Sequence, residues 1–257
     1  MKTLLRNAAI FCCLLALSSC SANGQTVKTY GYKVEEVLPH DAGSYTQGLF
    51  FHDGVLYESA GQYGQSSFRQ VDLKTGRVER RMNFDRRYFA EGSCVLNGKL
   101  YILTWREQEC FVYDIATWEK RGSFRYRGEG WGLTTDGKSL IMSDGTSDIT
   151  FLNPDTFQPE RTIHVTLRGQ KVLYLNELEY IKGEIWANVY GTDQIVRIDP
   201  ATGQVRAVIN LRGILPAQQR TSGTDVLNGI AVDDHGHVYV TGKYWPKMYR
   251  ITLVEKK

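Results

Sequence analysis

Gln47-Gly48-Leu49 followed by the turn pair Asp53-Gly54, and Glu91-Gly92-Ser93 followed by Asn97-Gly98, are two statements of one pattern. Trp131-Gly132-Leu133 with Asp136-Gly137, Asn176-Glu177-Leu178 with Lys182-Gly183, and Asn228-Gly229-Ile230 with His235-Gly236 repeat it. In each copy a polar residue (Trp in the third) and a small step lead into an apolar strand, a tight turn and a second apolar strand. Asn-Gly and Asp-Gly between alternating apolar residues tolerate the left-handed backbone of a tight turn, and so mark β-hairpins. The copies start 44, 40, 45 and 52 residues apart, the length of a four-stranded propeller blade. The fold class is therefore all-β: a five-bladed β-propeller with four-stranded blades. A six-bladed ring with one degenerate blade and a β-sandwich are the alternatives, and the regular repeat argues against the sandwich.

Further along each repeat a third strand ends in a second turn, as in Val71-Asp72-Leu73-Lys74-Thr75-Gly76 and Ile198-Asp199-Pro200-Ala201-Thr202-Gly203. The fifth repeat has room for only three strands. The strand-like stretch Tyr30 to Leu38 precedes the first repeat; it supplies the missing outer strand and closes the ring, which removes edges an open sheet would expose.

Ring geometry turns the repeat into a site. The first strand of every blade lines the central channel, so Gln47, Glu91, Trp131, Asn176 and Asn228 fall around one mouth. The second strand returns antiparallel to the same rim and brings Glu58, Trp105, Ser143-Asp144, Asn188 to Tyr190, and Lys243. Apolar walls with a few placed polar groups are the composition of a small-molecule pocket. Taken singly, polar residues at strand starts are ordinary turn chemistry, and the Gly after them serves backbone geometry. Five converging positions with two tryptophans are more than turn chemistry, because exposed Trp is costly unless something covers it.

The N-terminal segment has a separate purpose. Lys2 and Arg6 precede an apolar run, Ala8 to Leu17, too short to span a bilayer. Leu17-Ser18-Ser19-Cys20 reads as a lipobox, with Cys20 lipidated; an ordinary cleaved signal is the blander reading. The expected organisation is a lipoprotein signal over 1–19, a tether over 20–27 and a catalytic propeller over 28–257, exported and membrane-anchored through the lipid alone. Ser21 after the cysteine leaves the membrane face open. Without residues 1–19 the chain keeps 29 basic and 28 acidic residues, a balance that gives no electrostatic footprint for nucleic acid.

Cys12, Cys13 and Cys20 belong to the signal and its lipobox, which leaves Cys94 and Cys110, and no C-x-x-C pair exists. They fall on strands flanking a common neighbour, about two ~4.8 Å spacings apart, too far for a comfortable bridge. Two free buried thiols are expected. His52, His235 and His237 fall toward the opposite rim, His164 has no sequence neighbour to pair with, and His40-Asp41 lies near the functional rim in a structural or a catalytic role. G-x-S-x-G, H-E-x-x-H, P-loop and dinucleotide fingerprints are absent from the sequence, which leaves nucleophilic and zinc hydrolysis without their parts.

Eight ordered segments carry a family resemblance: Tyr45-Thr46-Gln47-Gly48-Leu49, Ala90-Glu91-Gly92, Leu103-Thr104-Trp105, Gly128-Glu129-Gly130-Trp131-Gly132, Leu175-Asn176-Glu177-Leu178-Glu179, Ile185-Trp186-Ala187-Asn188-Val189-Tyr190, Asn228-Gly229-Ile230-Ala231 and Thr241-Gly242-Lys243-Tyr244-Trp245-Pro246-Lys247. With them, residues 28 to 257 resemble the bacterial and plant type of glutaminyl-peptide cyclotransferase, a five-bladed propeller family. The resemblance implies an enzyme that closes N-terminal glutamine of peptides or proteins into pyroglutamate and releases ammonia. It implies Glu91 as the acid/base, with Gln47, Asn176 and Lys243 around the reacting amide. Trp105 and Trp131 would wall the glutamine pocket, with Tyr45, Tyr190 and Asn228 as further substrate-binding positions. Tyr190 departs from the W-A-N-V-W pattern of the family, keeping an aromatic wall but adding a hydroxyl. No redox or group-transfer step occurs, so no cofactor is implied.

Burial between the tryptophans would raise the Glu91 pKa and Lys243 would lower it; the sequence leaves the balance open. Glu58, Glu129 and Asp144 are next in line as proton carriers by position. Two other functions fit the rim: a calcium-dependent lactonase with Glu91, Asn176 and Asn228 as oxygen ligands, and a non-catalytic propeller that binds a partner. A monomer is the default expectation.

Overall fold

A computed structural model of the protein describes residues 26–256. The signal and lipobox readings, Cys20 included, lie outside the described residues. The chain opens with a long strand, β1 (Lys28–Pro39), and then builds blade after blade. Blade one is β2 (Thr46–His52), β3 (Val55–Ala60), β4 (Ser67–Val71) and β5 (Val78–Asn83). Blade two is β6 (Ala90–Leu96), β7 (Lys99–Thr104), β8 (Glu109–Asp114) and β9 (Lys120–Arg125), and blade three is β10 (Leu133–Thr135), β11 (Leu140–Ser143), β12 (Asp148–Leu152) and β13 (Pro159–His164). A small hairpin, β14 (Thr166–Leu167) and β15 (Gln170–Lys171), precedes blade four: β16 (Leu175–Ile181), β17 (Glu184–Val189), β18 (Gln194–Ile198) and β19 (Val205–Asn210). Blade five has β20 (Leu227–Val232), β21 (Val238–Gly242) and β22 (Lys247–Glu255).

β1 completes blade five from outside, pairing antiparallel with β22 from Tyr30 opposite Glu255 to Pro39 opposite Lys247. Its first residues also pair in parallel with β19, Lys28 opposite Ala207 to Tyr30 opposite Ile209. One strand thus joins blades four and five into a single eight-stranded sheet. The expected closure is present, two residues longer at its start than Tyr30.

The turn chemistry explains the repeat. Asp53-Gly54, Asn97-Gly98 and Lys182-Gly183 are two-residue turns with positive φ at both positions, the geometry that matches strand twist. The hairpins of blades three and five are wider, spanning 136–139 and 233–237. The second turn recurs in all of the first four blades. Asp72, Asp114, Asn153 and Asp199 each accept backbone N–H groups two or three residues on. Where blades one and four end this turn in Gly76 and Gly203, blades two and three use Trp118 and Phe157 at positive φ. Both aromatic rings are buried in inter-blade clusters, which offsets the backbone cost.

The apolar core is divided into five clusters, each shared by consecutive blades. Phe50 and Phe68 of blade one meet Ile102 and Phe111 of blade two; Leu49 and Leu56 meet Ala231 and Tyr239 of blade five and complete the circle. Cys94 and Cys110 are buried free thiols in the cluster between blades two and three.

Candidate active site

Four of the five repeat-start residues occupy the same place: Gln47, Glu91, Asn176 and Asn228 are each the second residue of an inner strand. At each of them the pairing with the next strand slips, between Thr46 and Gly48, Ala90 and Ser93, Leu175 and Leu178, and Leu227 and Ile230. Such a bulge bends the strand and re-aims a side chain, here at the mouth of the channel. Trp131 lies two residues before β10 and reaches the mouth from a loop. The Gly after the site residue answers to the neighbouring blade. A Cβ on Gly92 would meet Leu133 N at 2.4 Å, and one on Gly132 would meet Asn176 O at 2.0 Å.

Gln47, Glu91 and Asn176 open into one cavity of about 400 Å³ together with Tyr45, Trp105, Trp131, Tyr190 and Lys243. Gln62, Tyr63 and Phe89 complete its lining. Eight of the nine sequence-predicted pocket residues are thereby brought together. Asn228 is the exception. It is fully buried, and its Nδ2 donates to Thr46 O at 2.9 Å and to Gln47 Oε1 at 3.3 Å. Gln47 Nε2 donates in turn to Glu91 Oε1 at 3.1 Å. Asn228 is thus a positioning residue that fixes which way the Gln47 amide faces, not part of the wall.

The walls form a connected belt. Tyr45 packs edge-on against Phe89 with centroids 6.1 Å apart, and Phe89 against Trp105 at 5.5 Å. Trp131 meets Tyr190 edge-on at 5.7 Å. Two charged groups close the gaps. Glu129 Oε2 accepts from Trp105 Nε1 at 2.7 Å and from Trp131 Nε1 at 3.0 Å. On the other side Lys243 Nζ lies 4.5 Å from the Tyr45 ring centroid and 5.0 Å from that of Tyr190, within cation–π range. The Tyr190 ring thus joins Trp131 on one side to Lys243 on the other.

Electrostatics single out Glu91. Burial pushes its carboxyl well above the usual range; the Lys243 ammonium opposes this, and the Glu129 and Glu107 carboxylates add to it. Burial wins, which answers the question the sequence left open. Lys243 moves the opposite way, lowered to about 8 by burial while Glu91 and Asp225 pull it back. Asn176 Oδ1 is buried without a protein partner, an acceptor left for something in the cavity.

The reserve carboxylates do other work. Burial would raise Glu129, but hydrogen bonds from Trp131, Trp105 and Arg106 hold it below its ordinary value, so it stays ionised and orients the two walls. Glu58 is not in the cavity. It accepts from Ser44 Oγ at 2.5 Å and Thr46 Oγ1 at 2.7 Å, and His40 Nε2 lies 3.1 Å away. His40 Nδ1 faces Trp245 O at 2.6 Å; with acceptors at both nitrogens the ring is an imidazolium, and the pair is structural. Burial would raise Glu58, yet His40, Arg69 and Ser44 bring it down to about 2. Asp144 is spent on its own turn, accepting from Thr146 N and Oγ1.

Sequence reasoning missed Gln62, Tyr63, Phe89 and the clamp role of Glu129. Gln62 and Tyr63 sit in the β3–β4 loop of blade one and Phe89 on the connection from blade one to blade two, all outside the repeat positions. Glu129 had a legible signal, an acidic residue two before Trp131 in a glycine-rich segment.

A propeller whose channel mouth holds one buried, proton-binding carboxylate inside an aromatic belt has the parts for acid–base chemistry on a small group. The profile of the glutamine cyclotransferase family matches residues 6–253, and the chain belongs to that family. It is 40 % identical over 261 residues to a glutaminyl-peptide cyclotransferase of Arabidopsis thaliana, covering 97 % of this chain and 81 % of that one. The crystal structure of Myxococcus xanthus glutaminyl cyclase superposes with a TM-score of 0.85 at 35 % identity, covering 90 % of this chain and all of that one. Family membership sets the lactonase and binding-only readings aside.

Proposed function

We propose that the belted pocket is where this glutaminyl-peptide cyclotransferase closes N-terminal glutamine to pyroglutamate, with Glu91 moving the proton. The observation that carries the reading is the buried Glu91, raised in pKa beside the free acceptor of Asn176 and the ammonium of Lys243. An ordinary carboxylate is a poor base toward an α-amine of pKa ≈ 7.7–8.0. Burial brings the two affinities closer, so the proton can pass either way.

The neutral α-amine attacks the γ-carboxamide carbon, forming the ring C–N bond and placing charge on the carboxamide oxygen. Lys243 and the Gln47 amide are the donors available for that oxygen. The surplus proton of the ring nitrogen passes to Glu91 and then to the departing nitrogen, whose bond to carbon breaks as ammonia leaves. Glu91 ends as it began. Asn176 accepts from the substrate amide, and the tryptophan walls hold the side chain curled, an entropic contribution.

Glu91→Gln keeps size and hydrogen-bonding reach but cannot cycle a proton. With a Gln-initiated peptide and ammonia release as readout, turnover should fall by at least ~10²-fold at little change in peptide affinity or melting temperature. Near-normal turnover in the folded variant would move the proton-transfer role elsewhere.

The substrates are peptides or proteins that begin with glutamine, and the reading needs no second copy of the chain to complete the described pocket. We further propose export as a lipoprotein anchored through Cys20, which rests on the apolar run and lipobox. Cys20→Ser should then appear in the soluble fraction with unaltered turnover. Continued membrane association would remove the anchor and leave the cyclase reading standing.

A further inference from the structure

Beside the pocket, on the same rim, lies a second and larger cavity of about 530 Å³ that the chemistry above does not use. The two hollows share a wall. Tyr190 faces the pocket, and the turn that follows it, Gly191 to Gln194, lines the groove. Asp225 lines the groove while its charge acts on the Tyr45 hydroxyl of the pocket, and its N–H donates to the Lys243 carbonyl at 3.0 Å. The groove therefore begins where the pocket ends.

It runs outward between blades four and five. Its lining passes from the end of β17, across the start of β18, to Asn210 and Arg212 at the end of β19, the outermost of the four strands. Arg220, on the connection between the two blades, also lines it. Arg212 and Arg220 are exposed and neither forms a salt bridge among the described residues; Arg220 makes only a 3.5 Å contact to Asp225 O. The Asp193 and Asp225 carboxylates line the same groove, but neither lies within ion-pair distance of Arg212 or Arg220 among the described residues.

Cyclisation engages only the first residue, so the remainder of a peptide must leave the pocket across the rim. We infer that this groove seats the residues following the N-terminal glutamine, and that Arg212 and Arg220 favour an acidic side chain three residues beyond it. The inference rests on the pocket reading above. The spacing follows from geometry: two strand intervals make about 10 Å, which an extended chain at ~3.3 Å per residue covers in three steps.

The test compares kcat/KM for amidated Gln-Ala-Ala-Glu-Ala and Gln-Ala-Ala-Lys-Ala at low salt. The wild-type protein should favour the Glu peptide about fivefold, the range of one or two exposed ion pairs, and the preference should shrink at high salt. Arg212→Ala combined with Arg220→Ala, or Arg220→Glu alone, removes the net positive charge of the pair and should bring the ratio to about one. Because the readout is a ratio within one protein, loss of total activity in either variant does not mimic the effect. A wild-type ratio near one, with glutamine amide turned over normally, removes the groove alone. A wild-type preference that persists in Arg220→Glu removes it too. Failure to cyclise even glutamine amide removes the pocket reading and the groove with it.

Discussion

Lys243 shows how much one buried side chain can be asked to do. Its ammonium lies over two tyrosine rings, opposes the rise of the Glu91 pKa, and is itself lowered to about 8. Lys243→Met keeps an unbranched stem between Tyr45 and Tyr190 but no charge. Turnover should fall on the order of 10²-fold, the loss typical of one oxyanion donor. The pH profile gives a sharper readout. Removing the ammonium lets burial raise Glu91 further, so the ascending limb of kcat/KM should move to higher pH. Any alkaline limb near pH 8 that belongs to Lys243 should vanish. An unshifted profile would take Lys243 out of contact with the proton-transfer step. At this scale most of the site was legible in the sequence, because the repeat fixes equivalent positions and Glu91 is the one carboxylate among them. What could not be read was the direction of a side chain. Glu58 and Lys243 both come from second-strand ends, yet Glu58 turns away to His40 and Arg69 while Lys243 turns into the pocket.

Among the elements, β16 breaks the repeat's own rule. Where the other copies have Gly after the site residue, it has Glu177, which crosses the channel to accept from Leu49 N of blade one at 3.2 Å and Ile230 N of blade five at 2.8 Å. Two residues on and facing the same way, Glu179 accepts from Val232 N and Thr134 Oγ1, both at 3.3 Å. Burial raises Glu179 to about 8 and Glu177 well above its ordinary value. A carboxyl whose folded pKa exceeds its unfolded one adds stability that is complete below the unfolded pKa. That stability is lost as pH rises through the folded value. For Glu179 the window runs from the ordinary 4.5 to about 8. Glu179→Gln fixes the neutral form, so its melting temperature relative to wild type should climb across that window and level off above it. A difference that stays constant with pH would mean that Glu179 is ionised throughout. The exception at Glu177 was visible as a broken pattern, but which backbone groups it would reach depends on the ring's closure, which no local stretch encodes.

At the scale of the whole molecule the architecture was the most legible part, since five copies of a hairpin signal at blade spacing admit few arrangements. The pairing of β1 with β19 was not foreseen. A parallel contact between a leading strand and a blade made much later carries no spacing signal, and it depends on how far the strand overshoots its antiparallel partner. That double pairing has a kinetic consequence. Tyr30 and Glu255, side by side in the finished sheet, are 225 residues apart in the chain. Each of the first four blades can form from contiguous sequence, as hairpins whose loops close quickly, but the fifth must wait for the first strand to meet the last. Loop-closure entropy and high contact order make such a step slow. During synthesis, β1 is the first of the blade strands to be made and the last to find a partner, because β19 and β22 follow it by most of the chain. Until then blades one and five cannot bury the cluster they share, and the order of manufacture is the reverse of the order of locking.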